Sequence, residues 1–178
     1  MSKNITVIGI GRLGLGLALL IEKSGYNVCG VDIFPDYVKC LNDKTYKTKE
    51  PEYETLLKNS KNFYATTNLE EGLNFSEIIF IVVQTPNGGG KRFYDHTILS
   101  NLLVKINKYK VKNKDIIIGC TVMPKYIDDV GSVLIEDCEN VSLSYNPEFI
   151  AQGEIIKGFR NPDIILIGTE NPVLGSKL

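Results

Sequence analysis

The sequence has little of the chemistry that metal sites, disulfide frameworks and nucleic-acid-binding surfaces need. Its single histidine, His96, excludes a metal site built from several histidines. Its four cysteines, Cys29, Cys40, Cys120 and Cys138, lie far apart and form no C-x-x-C pair. This spacing argues against a zinc site or a disulfide framework and favours a reducing cytoplasm. The net charge of −1 gives no overall attraction to nucleic acid or to a membrane surface, so we expect neither partner.

Long hydrophobic runs are also absent. The aliphatic stretches, such as Ile78–Val83 and Ile116–Ile118, are too short to cross a bilayer. Because Met1–Asn4 leads directly into the first strand pattern, we expect no signal peptide. The contents of 43% hydrophobic and 23% charged residues are typical of a soluble globular protein. A chain of 178 residues is long enough to bury a core, and we expect a single domain over residues 1–178.

Short aliphatic runs alternate with helical patterns along the chain. The strand candidates are Asn4–Ile10, Val28–Val31, Phe63–Thr66, Ile78–Val83, Asp115–Gly119, Val141–Tyr145 and Ile164–Ile167. The helical patterns cover Leu13–Ile21, Pro35–Leu41, Glu54–Lys58 and Ile98–Ile106. Strands that are aliphatic throughout are typical of parallel strands buried on both faces. We therefore predict an α/β fold with a doubly wound, mainly parallel sheet, whose ligands lie at the carboxyl ends of the strands.

A glycine motif lies between the first strand and the first helix: Gly9-Ile10-Gly11-Arg12-Leu13-Gly14. In a G-x-G-x-x-G of this kind the glycines allow a tight turn, close approach of a pyrophosphate, and close packing of helix on strand. The helix N-terminus offers N–H groups to that pyrophosphate, so we expect Arg12 to contribute its backbone rather than its side chain.

An acid at the end of the second strand completes the motif. Asp32 stands 21 residues after Gly11, where a carboxylate accepts hydrogen bonds from the adenosine ribose and repels a 2′-phosphate. The combination predicts NAD as cofactor, in preference to NADP. The alternative is a tight turn followed by an acid that only caps the next helix.

Three later segments follow strand candidates. They are Val83-Gln84-Thr85-Pro86, Cys120-Thr121-Val122-Met123-Pro124 and Asn146-Pro147-Glu148-Phe149-Ile150-Ala151-Gln152-Gly153, with Phe159-Arg160-Asn161-Pro162-Asp163 shortly after. Together with Gly9–Gly14 and Asp32, in this order, they resemble the UDP-glucose/GDP-mannose dehydrogenase family over Asn4–Gly168. The Asn-Pro-Glu-Phe stretch with the downstream Asn-Pro-Asp resembles the UDP-glucose branch more than the UDP-N-acetylmannosamine dehydrogenases.

The resemblance implies an NAD-dependent enzyme that oxidises the C6 alcohol of UDP-glucose to a carboxylate in two steps, through a thioester on an essential cysteine. It implies that Val83, Gln84, Thr85 and Pro86 line the nicotinamide side of the cofactor, and that Cys120 and Thr121 lie beside cofactor and sugar. It makes Glu148 the acid/base carboxylate for the hydrolytic water, with Thr121 as the second catalytic candidate. The stretch Glu148, Phe149, Ile150, Ala151 and Gln152 would contact the nucleotide sugar, with Gln152 also near the cofactor.

Several of these residues have simpler explanations when taken alone. Glu148 could open and cap a helix that begins near Phe149. Thr121 could be an N-terminal cap, and Thr85-Pro86 could be an ordinary turn at a strand end.

The chain departs from the family pattern at three positions. Gln152 replaces a common glutamate, so a carboxylate role there does not transfer. Tyr37 occupies a position, five residues after the strand-end acid, that is often basic in relatives. Cys120 replaces a hydroxylated residue.

Family members also continue into a connecting helix, through which they dimerise, and a second domain that carries the nucleophilic cysteine and most uridine-binding residues. We therefore expect residues 1–178 to be the N-terminal NAD-binding domain of a longer enzyme that forms a homodimer or a larger oligomer. This domain would bind NAD without completing turnover.

Two other functions stay open at this point. The first is a non-catalytic nucleotide sensor, such as the regulatory domains of ion channels, which would not need Thr121 or Asn146–Gly153 in register. The second is a degenerate dehydrogenase kept as a binding partner, which Gln152 and the missing second half would suit.

Overall fold

The computed structural model describes residues 3–89, 93–151 and 153–175. Its strands are β1 (Asn4–Ile8), β2 (Asn27–Val31), β3 (Phe63–Thr66), β4 (Ile78–Ile81), β5 (Lys112–Ile118) and β6 (Glu139–Tyr145). They form one sheet in the order β3-β2-β1-β4-β5-β6, and every neighbouring pair is parallel. The order reverses between β1 and β4, which is where doubly wound sheets bind dinucleotides. The predicted fold class is confirmed.

Helices connect the strands on both faces of the sheet. They are α1 (Arg12–Lys23), α2 (Pro35–Asn42), α3 (Tyr53–Asn59), α4 (Leu69–Phe75), α5 (Thr97–Lys108), α6 (Ser132–Leu134), α7 (Ile155–Arg160) and α8 (Pro172–Gly175). A π-helical segment, Ile127–Gly131, leads into α6. Among the described residues, no helix combines the length and apolar character needed to span a bilayer.

The central strands β1 and β4 and the end of β5 are mostly aliphatic, because both faces of the sheet are buried there. One face packs α1, α3 and α7 against β1 and β2, with a core that includes Val7, Val28, Leu15, Leu57 and Ile155. The other face packs α5 against β4 and β5, with a core that includes Ile79, Ile81, Ile116, Leu99 and Leu103. Alternate side chains along each strand point to opposite faces, so both cores draw on the same strands.

The buried face of α1 differs from the predicted one. The sequence pattern selects Leu13, Leu17, Leu20 and Ile21, but these side chains are only partly buried. The fully buried residues are instead Leu15, Ala18 and Leu19, at 0%, 0% and 1% exposure. Since α1 is apolar on nearly all sides, periodicity alone could not decide which side meets the sheet.

One helix was not predicted, and one predicted strand is wrong. Helix α4 has no clear apolar period over its seven residues, and its N-cap is Asn68, whose side-chain oxygen accepts the N–H groups of Glu70 and Glu71. The strand expected at Ile164–Ile167 does not form in the structure. Of this region only Gly168 bridges to β6, through antiparallel hydrogen bonds with Tyr145 at the end of that edge strand.

Candidate functional site

The segments that follow β1, β4, β5 and β6 begin side by side at the carboxyl edge of the sheet. Backbone hydrogen bonds continue past the strand ends: Gly9 N–H to Val31 O at 2.8 Å, Val82 N–H to Ile8 O at 2.8 Å, Gly119 N–H to Ile81 O at 2.9 Å, and Asn146 N–H to Ile118 O at 3.0 Å. The structure therefore brings the glycine motif and the three later segments to one edge.

Two of the three glycines in the turn, Gly9 and Gly14, leave no room for a side chain. Gly9 has a φ of +85°, and a Cβ there would lie 2.5 Å from the carbonyl oxygen of Val82. A Cβ at Gly14 would lie 2.1 Å from the carbonyl oxygen of Gly9. At Gly11 the opposite holds, because no heavy atom lies within 4 Å of an added Cβ. Gly9 and Gly14 serve the fold, whereas Gly11 borders open space.

The N-terminus of α1 faces that open space without a cap. Gly11 is the N-cap residue and makes no side-chain capping bond, and the first turn of α1 contains no acidic residue. The first N–H groups of an α-helix have no acceptor within the helix and carry a partial positive charge. Arg12 is exposed, and the side chain of Leu13 packs against the core. The turn thus presents an unneutralised helix end next to β1.

Asp32 lies beside this turn. Its carboxylate accepts the N–H of Phe34 at 3.3 Å, and the backbone N–H groups of Ile33 and Ile10 also favour its charged form. Burial raises the pKa of Asp32, although these three backbone donors oppose the rise. Phe34, not Asp32, is the N-cap of α2, and α2 has no side-chain cap. The alternative in which Asp32 only caps the next helix is therefore wrong.

The segment after β4 is irregular. Val83 and Thr85 are half-buried, while Gln84 and Pro86 are exposed. The carbonyl oxygen of Pro86 accepts the N–H of Asp95 at 2.9 Å, which closes the loop that precedes α5.

The segment after β5 carries one buried thiol and one exposed hydroxyl. Cys120 is 6% exposed, and burial raises its pKa to about 11, so its thiol stays protonated near neutral pH. Thr121 is exposed, and no helix begins at the residue that follows it, so it is not an N-terminal cap. His96 holds this segment in place, since its Nε2 accepts the N–H of Met123 at 3.2 Å. Burial lowers the pKa of His96, which favours the neutral ring that this bond needs.

The segment after β6 carries Glu148. Among the residues that the structure describes, the first helix after Glu148 is α7, which begins at Ile155, so the helix-cap explanation of Glu148 is wrong. Burial raises the pKa of Glu148 to about 7. Its side chain borders a cavity of about 770 Å³, whose other lining residues include Leu17, Ile21, Phe80, Asn146 and Phe159. Over the residues it describes, the structure shows no hydrogen bond between Glu148 and Thr121.

The rest of the Glu148 segment is partly exposed. Phe149 is 56% exposed and Ala151 is exposed, whereas Ile150 packs against the core and against Gly158. Gln152 lies outside the described residues, so its predicted contacts with cofactor and sugar are not described.

Two acids that sequence reasoning missed bind the end of the Glu148 segment and the helix α7 that follows it. The carboxylate of Glu50, 8% exposed, accepts the N–H of Gly153 with both oxygens, at 2.9 and 3.1 Å. Glu52 accepts from Arg160 at 2.9 Å. The partners are 103 and 108 residues apart in the chain, so no local pattern could have indicated either pair. In the described part of the chain, no group of three or more His, Cys, Asp or Glu residues could hold a metal ion.

Comparison with known proteins assigns this architecture. The model of the UDP-glucose/GDP-mannose dehydrogenase family, NAD binding domain, matches residues 3–178. The chain belongs to this family. It is 31% identical over 175 residues to UDP-N-acetyl-D-mannosamine dehydrogenase from Methanocaldococcus jannaschii, covering 96% of the chain and 40% of that protein. It is 30% identical over 174 residues to UDP-glucose 6-dehydrogenase from Rickettsia bellii, covering 94% and 39% respectively. The chain thus spans about two fifths of the length of these relatives.

Solved structures agree on the fold. A UDP-glucose dehydrogenase from Pyrobaculum islandicum superposes with a TM-score of 0.90 at 22% identity, covering 99% of this chain and 43% of that one. A GDP-mannose dehydrogenase from Pseudomonas aeruginosa gives 0.87 at 24% identity, covering 97% and 42%. The family match confirms the predicted NAD cofactor. The predicted preference for UDP-glucose is not resolved, because relatives with different sugars match about equally well.

A methyl group added at Gly11 should weaken NAD binding, whereas one added at Gly14 should destabilise the fold. Gly11→Ala meets open space at a φ of −61° that alanine adopts freely, so its thermal midpoint should stay within a few degrees of the parent's. Its NAD affinity should fall at least about tenfold, since the methyl group would occupy the space beside the helix end. Gly14→Ala should destabilise the fold by more than about 2 kcal/mol, because the clash is with backbone. Calorimetric titration and thermal unfolding would check both, and an unchanged NAD affinity in Gly11→Ala would contradict the site.

Glu148 predicts a pH-dependent stability. Its pKa rises from 4.5 to about 7 on folding, so between these values the folded protein keeps a proton that the unfolded chain has lost. Stability should therefore fall as pH rises through this window. Glu148→Gln removes the titrating group and with it this loss of stability. The free energy of unfolding of the variant, relative to that of the parent, should therefore rise by about 1 to 3 kcal/mol between about pH 5 and about pH 8.

Urea unfolding at both pH values measures the Glu148 effect. Glu136→Gln, at an exposed position, is the control and should track the parent at both. A constant difference between Glu148→Gln and the parent would refute the raised pKa.

Proposed function

We propose that this chain binds the NAD of a nucleotide-sugar dehydrogenase, with the diphosphate at the Gly9–Gly14 turn and the adenosine ribose at Asp32. The observation that carries the proposal is the uncapped N-terminus of α1, which borders open space at Gly11 and has the Asp32 carboxylate beside it. A helix end of this kind favours a diphosphate, because its N–H groups donate to the anion and its partial charge is positive. A carboxylate accepts hydrogen bonds from the ribose hydroxyls.

The nicotinamide end would lie across the next two strands. Val83, Gln84, Thr85 and Pro86 follow β4, and Cys120 and Thr121 follow β5. Since β4 and β5 come directly after β1 in the sheet, a dinucleotide that starts at the glycine turn and runs along the carboxyl edge reaches these segments.

Glu148 is the proposed acid/base group. A carboxyl group whose pKa is about 7 exists in both protonation states near neutral pH, so it can accept a proton from a hydrolytic water and return it. The hydroxyl of Thr121 can donate and accept, which suits a residue that orients that water. Phe149, Ile150 and Ala151 would contact the nucleotide sugar, together with Gln152.

UDP-glucose is the proposed substrate, supported by the Asn146–Phe149 motif and the downstream Asn161–Asp163. The oxidation to a carboxylate requires a nucleophilic cysteine. Burial raises the pKa of Cys29 and of Cys120 to about 11, which suits inert thiols. We propose that the nucleophile comes from outside these residues, and that the complete enzyme is an oligomer.

The competing proposal is a sensor that binds NAD without catalysis. It would need the glycine turn and Asp32, but it has no use for a carboxyl group with a pKa near 7 beside the carboxyl edge. Glu148 therefore favours the enzyme.

Asp32 predicts cofactor preference. The chain should bind NAD at least about tenfold more tightly than NADP, and Asp32→Asn should narrow this ratio because the charge that repels a 2′-phosphate is gone. Asp36→Asn, which removes an exposed charge from the first turn of α2, should leave the ratio unchanged. Calorimetric titration with both cofactors measures the ratio, and equal affinities in the parent would count against the ribose site.

If the chain binds NAD and the nucleophile comes from elsewhere, NADH formation should need both parts. With NAD and UDP-glucose, UDP-N-acetylmannosamine or GDP-mannose, the chain alone should form no NADH. Adding a separately produced carboxyl-terminal half of a UDP-glucose 6-dehydrogenase should start NADH formation with UDP-glucose. Glu148→Gln should bind NAD normally and fail in this mixture. Steady NADH formation by the chain alone would refute the proposal that the nucleophile comes from outside these residues. If the mixture with Glu148→Gln is as active as the mixture with the parent, the sensor is favoured.

A further inference from the structure

Two tyrosine hydroxyls hold the glycine turn from the side of α2 and α3. The hydroxyl of Tyr37 in α2 donates to the carbonyl oxygen of Ile10 at 2.7 Å. The hydroxyl of Tyr53 in α3 donates to the carbonyl oxygen of Arg12, also at 2.7 Å. The two bonds thus reach alternate carbonyl groups of one short turn.

These bonds also determine where the amide groups point. In a trans peptide the C=O and the following N–H lie in one plane and point in opposite directions. When Tyr37 fixes the Ile10 carbonyl, it fixes the Gly11 N–H on the opposite side. Tyr53 adds a hydrogen bond to the Arg12 carbonyl, which the first turn of α1 also orients, and so further restrains the Leu13 N–H. Both amides belong to the start of α1, where the diphosphate is proposed to bind.

The surroundings of both rings keep these hydroxyls in place. Tyr53 is 1% exposed, and a Cβ at Gly16 would lie 2.3 Å from its hydroxyl oxygen, so the absence of a side chain at Gly16 makes room for the phenol. The ring of Tyr37 packs edge-on against Tyr46, with 5.2 Å between the ring centroids. Burial raises the pKa of both tyrosines above its ordinary value, so both hydroxyls remain protonated donors.

Tyr37 further links the turn to the ribose acid. The backbone of Ile10 interacts with the Asp32 carboxylate, while the Tyr37 hydroxyl donates to the Ile10 carbonyl. The side chain of Ile10 fits against Gly30, where a Cβ would lie 2.8 Å from it. The peptide that leads into α1 has little freedom to rotate.

We propose that Tyr37 and Tyr53 are positioning residues for NAD, which hold the Gly11 and Leu13 amides toward the diphosphate before it binds. The proposal rests on the proposed diphosphate site at Gly9–Gly14. Preorganised donors lose less freedom on binding, so affinity rises although neither tyrosine touches the ligand.

The experiment compares Tyr37→Phe, Tyr53→Phe and Tyr126→Phe in the 178-residue chain, well below the unfolding temperature. Tyr126 is the matched control, because it is also buried and its hydroxyl makes a 2.7 Å bond, to Ser100, on the other face of the sheet. We expect Tyr37→Phe and Tyr53→Phe each to lower NAD affinity about three- to tenfold, as for one lost hydrogen bond. Tyr126→Phe should bind NAD like the parent at a similar cost in stability.

Amide NMR separates positioning from simple packing. Without NAD, Tyr37→Phe should shift the Gly11 resonance and Tyr53→Phe the Leu13 resonance, because each loses the bond to the carbonyl of the same peptide. If Tyr37→Phe or Tyr53→Phe binds NAD like the parent, that tyrosine is not a positioning residue. If Tyr126→Phe loses as much NAD affinity as the other two variants, the effect is one of general stability and the proposal fails. Loss of NAD binding in Gly11→Ala, measured alongside, shows that the diphosphate site itself stands when the tyrosine proposal fails.

Discussion

The contact between the start of α1 and the end of β1 constrains everything at the carboxyl edge of the sheet. Helix and strand approach so closely that Gly14 leaves no space for a methyl group beside the Gly9 carbonyl. This approach keeps the N-terminus of α1 at the middle of a six-stranded sheet, next to the point where the strand order reverses. An unneutralised helix end that borders open space favours an anion, because its first N–H groups have no acceptor within the helix. The same contact that closes the fold therefore positions the proposed diphosphate site.

Much of the architecture followed from the sequence because its physical cause is local. Strands buried on both faces are apolar along nearly their whole length, so the run at Ile78–Val83 was visible as a strand. The glycine motif was visible because steric limits act within one turn. The buried face of α1 was not, since that helix is apolar on nearly all sides. Ile164–Ile167 has strand-like residues but only a single bridging neighbour at Gly168, which shows that composition cannot supply a pairing partner.

The residues of the candidate site also fall into those that the sequence could predict and those that it could not. Gly11 and Asp32 could be selected from spacing and charge, and Glu148 and Thr121 from resemblance to a family. Glu50, Tyr37 and Tyr53 could not, because their importance lies in bonds to residues far away in the chain. Residues that bear the chemistry leave motifs, whereas residues that hold them in place are mostly visible only after folding.

The bonds of Glu50 and Glu52 have a consequence for chimeras within the family. The stretch that carries Glu148 is attached through the backbone N–H of Gly153 to a buried acid that lies 103 residues earlier, and Glu52 in the same turn binds Arg160. A chimera that imports Asn146–Arg160 from another family member replaces Arg160, and it keeps the Gly153 bond only where its backbone returns to Glu50. Transplants of the proposed sugar-binding stretch therefore need to exchange the turn at Glu50–Tyr53 as part of the same unit.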